Sequence, residues 1–312
     1  MRRGIARLVV GLVLVAAPLA PGVAAPTSAA GRTYLKPEES DEGIPILLSG
    51  KAREYYGFGI DQPIHVAVVG PTTFTLLVRA VFTPGMPDTA AYGVLIREGD
   101  AEVKKHWTTT RRGDGAFVPK SPNVPGASRK LTVEVPAGSH RLAVSLLGDQ
   151  AEQAVARLYV PGEYKAEAYA SIAPLDASET FTALGGEKQI AYYRVDAKAP
   201  LTVRVVGPTK LRILSRMNFS FALHGKRRYA LTVEEDGKAI RREDLWTTRS
   251  TSVVFTDHPD IIPGKDKVTL VDVPGGAHRY TVRLGPASEA SSVSIRFTIP
   301  QKDLANSSAG RG

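Results

Sequence analysis

Apolar residues recur at every second position through most of the chain, the period of a strand with one buried face. Ile64, Val66 and Val68 alternate with polar or small residues, and Phe74, Leu76 and Val78 do the same after a Gly70-Pro71 turn. Tyr92, Val94 and Ile96 form a third run, and Leu131, Val133 and Val135 a fourth. Gly99-Asp100, Asp236-Gly237, Ala137-Gly138 and Gly275-Gly276 punctuate the chain. Asp-Gly accepts the positive φ that a tight hairpin demands. No long stretch holds a 3.6-residue period. Short strands separated by turn signals predict an all-β chain of antiparallel sandwiches.

The pattern is written twice, about 137 residues apart. Tyr55-Tyr56 recurs as Tyr192-Tyr193, and Val69-Gly70-Pro71-Thr72 as Val206-Gly207-Pro208-Thr209. Trp107-Thr108-Thr109 returns as Trp246-Thr247-Thr248, and the run Val135 to Arg141 as Val273 to Arg279. The strand runs return as well: Leu201, Val203 and Val205; Leu211, Ile213 and Ser215; Tyr229, Leu231 and Val233; Thr269, Val271 and Val273. So long a period marks an internal duplication of a domain, since solenoid repeats run roughly 20–50 residues. Two tandem antiparallel β-sandwich domains, jelly-roll-like, are expected over 31–162 and 163–300, joined near Pro161-Gly162-Glu163. Each is about 130 residues, enough to bury a core of its own. In each tyrosine pair, alternation places one ring inward.

The ends read differently. Met1-Arg2-Arg3 to Arg7 is basic, Leu8 to Ala20 is apolar, and small residues follow to Ser28-Ala29-Ala30. This is the make-up of a signal peptide over 1–30. The apolar run is too short for a retained anchor, which needs roughly 20 residues. An exported protein is expected, periplasmic or secreted, with no transmembrane segment after cleavage. Gln301 to Gly312 is polar and rich in Gly and Ser, the composition of a disordered tail. There is no cysteine, so the cores alone hold the domains. Loss of Arg2, Arg3 and Arg7 lowers the formal charge from +9 to +6. That excess permits attraction to an anionic polysaccharide or to another envelope protein, and requires no specific nucleic acid.

The order of Tyr-Tyr strand, apolar strand, Gly-Pro turn, hairpin and V-P-x-G-x-H-R strand resembles bacterial pre-peptidase C-terminal-type jelly-roll domains. The resemblance covers most of each copy. It implies an accessory, non-catalytic module of exported proteins. The aspartates that such domains often carry for calcium do not recur here as a cluster, and no cofactor or metal is expected.

Candidate chemistry is sparse. There is no phosphate loop, dinucleotide fingerprint, HExxH, nucleophile elbow or repeated carboxylate pair. His140 and His278 follow Pro-x-Gly turns at matching places, each heading an apolar strand face. A structural role outweighs a catalytic one there, because no nucleophile repeats beside them. Trp107 and Trp246 open matching strands; a core or sheet-edge place is the plain reading, stacking on a sugar the functional one. Arginines recur at outward strand positions: Arg79 and Arg216, Arg141 and Arg279, Arg157 and Arg296. They fit a solvated face or an anion-binding one. Trp107, Trp246, Arg79, Arg216, Arg141 and Arg279 are therefore the candidate ligand-binding residues. The loops 110–130 and 249–267 are long enough to be functional. Asp257-His258-Pro259-Asp260 in the second offers metal ligands without a further partner. The sequence thus points to a non-catalytic binding or structural protein of the cell envelope. A carbohydrate-binding protein is the alternative, and a hydrolase with a site in the second domain is the other.

Overall fold

The computed structural model describes residues 31–40, 43–113, 115–148, 150–186 and 188–304. The leader expected over 1–30 and the last part of the tail, 305–312, lie outside them. The first unit comprises β1 (Arg32–Leu35), β2 (Ile44–Leu48), β3 (Lys51–Gly59), β4 (Ile64–Phe82), β5 (Thr89–Glu98), β6 (Ala101–Arg111), β7 (Ala116–Phe117), β8 (Val124–Pro125), β9 (Arg129–Leu147) and β10 (Gln153–Pro161). The second comprises β11 (Tyr169–Ile172), β12 (Thr180–Gly185), β13 (Lys188–Asp196), β14 (Leu201–Phe219), β15 (Arg227–Glu235), β16 (Lys238–Thr247), β17 (Val253–Phe255), β18 (Ile262–Pro263), β19 (Lys267–Leu284) and β20 (Ser292–Pro300). No helix among these residues is long and apolar enough to cross a membrane.

The two units have the same topology. The strand order is β6-β5-β9-β4-β10-β3-β2-β7 in the first and β16-β15-β19-β14-β20-β13-β12-β17 in the second, with no strand shared. All pairings are antiparallel. The chain is two tandem β-sandwich domains.

One glycine per unit lets the longest strands run on. In β4 against β9 the register shifts between Gly70 and Thr72, and in β14 against β19 between Gly207 and Thr209. A β-carbon on Gly70 would overlap the carbonyl of Pro136, and one on Gly207 that of Pro274. Only glycine permits the backbones to meet there, so each long strand passes a bulge and serves both layers.

The alternation becomes burial. Phe74, Leu76, Tyr92, Ile96, Val144 and Leu158 meet in the first core, and Leu211, Ile213, Tyr229, Tyr280, Val282 and Phe297 in the second. A smaller cluster lies on the other side of each sheet: Ile46, Tyr55 and Val155 in the first unit, Phe181, Tyr192 and Phe255 in the second. This corrects the expectation for the paired tyrosines. Tyr55 and Tyr56 both lie inside, one in each cluster, because the sheet is covered on both faces at that point.

The long loops are the cover. Their short strands fold back on the sheet: β7 pairs β2, β8 pairs β4, β17 pairs β12 and β18 pairs β14. The start of the expected disordered tail is also tied down. Gln301–Asp303 form a 3₁₀ turn, Lys302 Nζ stands 2.9 Å from Glu167, and Thr209 donates to Asp303 at 2.7 Å.

Since no strand crosses between units, we expect fragments 31–162 and 163–304 each to give a strand-rich circular dichroism spectrum and a cooperative melt. An unfolded fragment would mean that the units depend on their mutual contact for their cores.

Candidate functional site

The recurring arginines divide into three kinds. Arg79 and Arg216 are clamps and not an outward anion-binding face. Arg79 donates to the Tyr55 hydroxyl at 3.3 Å and to the Gly126 carbonyl at 2.7 Å. Arg216 donates to Tyr192 at 3.4 Å, to Gly264 at 2.8 Å and to Asp266 at 2.6 Å, and is 5% exposed. The parity that looked outward points into the second cluster, where the guanidinium pins the covering loop to the sheet. Arg279 is exposed and pairs across strands with Arg204. Arg141 alone is drawn into a larger arrangement.

The tryptophans are exposed, Trp107 by 54% and Trp246 by 48%, each on an edge strand. They are not equivalent. Tyr92 and Tyr229 are matching residues, and they face Thr108 and Leu245 across their hairpins. Trp246 therefore occupies the place of Thr109, and Asp244 that of Trp107. The repeated Trp-Thr-Thr string is two residues out of structural register. Gly93 lies opposite Trp107, and β-carbons at Gly93 and Gly148 would sit 3.0–3.3 Å from neighbours that include the indole. The bare glycines let that ring lie flat on the sheet. Trp246 instead faces Arg228, and Lys226 Nζ stands 5.6 Å from its ring centre.

Trp246 and Arg141 meet in a cleft of about 620 Å³ between the two sandwiches. Its first-unit wall carries Glu38, Glu39, His65, Glu98, His140 and Arg141; its second-unit wall carries Lys210, Arg241, Glu243, Asp244, Trp246 and Lys267. The joint at its base is ionic. Glu38, 9% exposed, accepts from Arg141 at 2.6 Å and from Arg212 of the second unit at 2.9 Å. Glu39, 10% exposed, accepts from Arg141 at 2.8 Å and from Lys267 of the second unit at 2.9 Å, with His65 Nδ1 at 3.2 Å. Burial alone would raise the Glu39 pKa. His65, Lys267 and Arg141 outweigh that effect and hold it far below the usual carboxylate range. The connecting segment adds contacts: Tyr164 accepts from the Val69 N–H at 2.7 Å, and Glu167 accepts from Ser139 at 2.7 Å and Tyr169 at 3.0 Å.

Each V-P-x-G-x-H-R histidine lies within hydrogen-bonding distance of the glutamate that ends the neighbouring hairpin strand. His140 Nδ1 stands 3.0 Å from Glu98, and His278 Nδ1 2.9 Å from Glu235. His140 Nε2 is enclosed without a partner, whereas His278 Nε2 lies 3.3 Å from the Gly275 carbonyl. Among the described residues Glu235, Asp236 and His278 bring ligand atoms within 4.8 Å of one another. The first unit keeps the His–Glu pair with Gly99 where Asp236 stands, so the pair needs no ion. The Asp-His-Pro-Asp run assembles no metal set: Asp257 accepts the Thr182 N–H at 2.9 Å, and His258 rests against Phe181, 3.6 Å from Glu179.

No family model matches the chain, and no curated protein matches it. Solved structures show distant likeness at 10% identity. The M60 catalytic domain with the CBM51-1 and CBM51-2 domains of Clostridium perfringens ZmpB aligns over 86% of this chain and 38% of its own, with a TM-score of 0.23. The plant receptor-like kinase FER aligns over 89% and 90%, at 0.25. PNGase F, a glycosylasparaginase from Flavobacterium meningosepticum, aligns over 86% and 94%, at 0.26. Scores this low assign neither a family nor an activity.

Glu39→Gln should destabilise the chain by about 1.5–3 kcal/mol, the usual worth of hydrogen bonds to a charged group, read by denaturant unfolding. Because the folded-state pKa of Glu39 is lowered, its contribution is complete above the unfolded value of about 4.3 and fades as pH falls below it. The variant should therefore converge on the parent in acid. A gap that stays constant from pH 6 down to about pH 2 would contradict the assignment.

Proposed function

We propose that this chain is an exported, non-catalytic binding protein of the cell envelope whose ligand is a carbohydrate held in the cleft between its two sandwiches. One observation carries the reading: a half-exposed tryptophan, Trp246, forms part of a roomy, strongly polar cleft. An indole face stacks on the apolar face of a sugar ring, and side chains able to donate and accept then fix the hydroxyls. Carboxylates, arginines and lysines supply both roles here, from two separate units. The ionic joint at the base sets the width of the cleft, so the site is formed before ligand arrives.

Catalysis is less well supported. The His140–Glu98 pair lines the same cleft, and a general base needs such an orienting carboxylate. Yet Nδ1 is occupied by Glu98 and Nε2 is enclosed, which leaves neither ring nitrogen facing a substrate. The neighbouring Ser139 hydroxyl is directed to Glu167.

A glycan array followed by calorimetry on the mature chain tests the proposal. Trp246→Ala should weaken binding of the best glycan by about tenfold or more, in line with stacking worth roughly 1–2 kcal/mol, while the melting temperature stays put. Unchanged affinity in that variant would remove the cleft as the site.

A further inference from the structure

The charges of the cleft narrow the class of sugar. The chain as a whole is basic, at +9, yet eight carboxylates line the cleft against four lysine and arginine side chains. Glu38 and Glu39 spend their charge on Arg141, Arg212 and Lys267. Asp61, Glu98 and Asp100 remain on the first wall, Glu98 beside His140. On the second wall Asp272 faces Lys210, Glu243 faces Arg241, and Asp244 is held from behind by Arg228.

These three cations are weak counter-ions. Lys210 pairs with Asp272 at 3.2 Å between side chains 55% and 86% exposed, a contact that an incoming ammonium displaces at little cost. Arg241 is bonded to Glu243 and is itself half-exposed, and Arg228 meets Asp244 at 2.8 Å between side chains 38% and 47% exposed, so an ammonium at Asp244 competes with a solvated pair. A cleft with an excess of one sign of charge concentrates counter-ions of the other. The Trp246 ring already has a lysine ammonium near it, 5.6 Å from its centre, which shows that a cation is compatible with that face. Anionic polysaccharide, the partner that the overall charge favours, has the wrong sign for this cleft.

We propose that the cleft binds a glycan bearing free primary ammonium groups, an oligomer of unacetylated amino sugar. One ring lies on Trp246, and the ammonium groups are directed to Asp244 and to the wall of Glu98 and Asp100. This inference rests on the carbohydrate reading above and adds the sign of the ligand.

The test is calorimetry on the mature chain near pH 6 at low salt with four probes: a glucosamine tetramer, its fully N-acetylated counterpart, a galacturonate tetramer and spermine. The glucosamine tetramer should bind about tenfold or more tightly than the acetylated one. Its affinity should fall several-fold between roughly 50 and 300 mM salt, because exposed charges are screened over that range. Asp244→Asn and Trp246→Ala should each weaken it by about tenfold, and Trp107→Ala, outside the cleft, should not. Equal binding of free and acetylated tetramers would leave the carbohydrate reading standing and overturn the charge inference. Spermine binding as tightly as the glucosamine tetramer, or tighter binding of galacturonate, would also overturn it. Full affinity in Asp244→Asn would move the ammonium elsewhere and overturn the assignment. If none of the sugars bound, the carbohydrate reading itself would fall.

Discussion

Two adjacent carboxylates, Glu38 and Glu39, join what the duplication left as separate bodies. They sit in the link between the first two strands of the first unit, nearly out of water, and reach basic groups from both units. Their geometry decides whether the arrangement holds. A buried carboxylate with one partner would be a liability, because desolvation exceeds a single Coulombic contact. Here Arg141 bridges the two acids, while Arg212 and Lys267 each close one side. Glu39 stays charged, and the second sandwich is held against the first. The cleft and the placing of Trp246 in its second-unit wall follow from that joint.

The duplication explains how such a joint could arise without disturbing either fold. Positions that carry the framework match in both units: the glycines at the bulges, the Arg79 and Arg216 clamps, and Thr110 and Thr247, which donate to the carbonyls of Ala127 and Lys265. Positions on the outer face of the long strand have diverged. Where the first unit has Thr73 and Thr75, the second has Lys210 and Arg212. Arg212 meets Glu38, and its guanidinium lies 4.9 Å from the Tyr169 ring centre. Cores constrain their residues through volume and shape; positions outside the core cluster, such as Thr75 and Arg212, are freer to acquire a partner.

This contrast also governs what could be read from the sequence. Strand periodicity is set by local burial, so the alternating runs located the cores and the repeat located the two units. The long loops misled because their length is visible while the pairing of β7, β8, β17 and β18 with distant strands is not. Arg79 and Arg216 misled for a related reason. Strand parity assigns a side chain to a face, but not whether a loop later covers that face. The tryptophans are the sharpest case. An identical three-residue string drew Trp107 and Trp246 into one alignment, and only the cross-strand partners of Tyr92 and Tyr229 revealed the two-residue offset. Nothing in the sequence could have brought Glu38 to Arg212, 174 positions away.

The histidines take the argument to its last step. Because both copies pair a histidine with the glutamate closing the adjacent hairpin, the pair belongs to the framework the two units share. Its surroundings then separated. In the second unit Tyr280 donates to Glu235 at 3.0 Å and fills space that Leu142 holds in the first. The first-unit pair, with Glu98 still 43% exposed, instead lines the cleft beside the second sandwich. A histidine–glutamate pair common to both copies thus stands in the cleft wall of one copy alone. In this chain recurrence across the copies marks the scaffold, whereas the cleft forms where the copies differ.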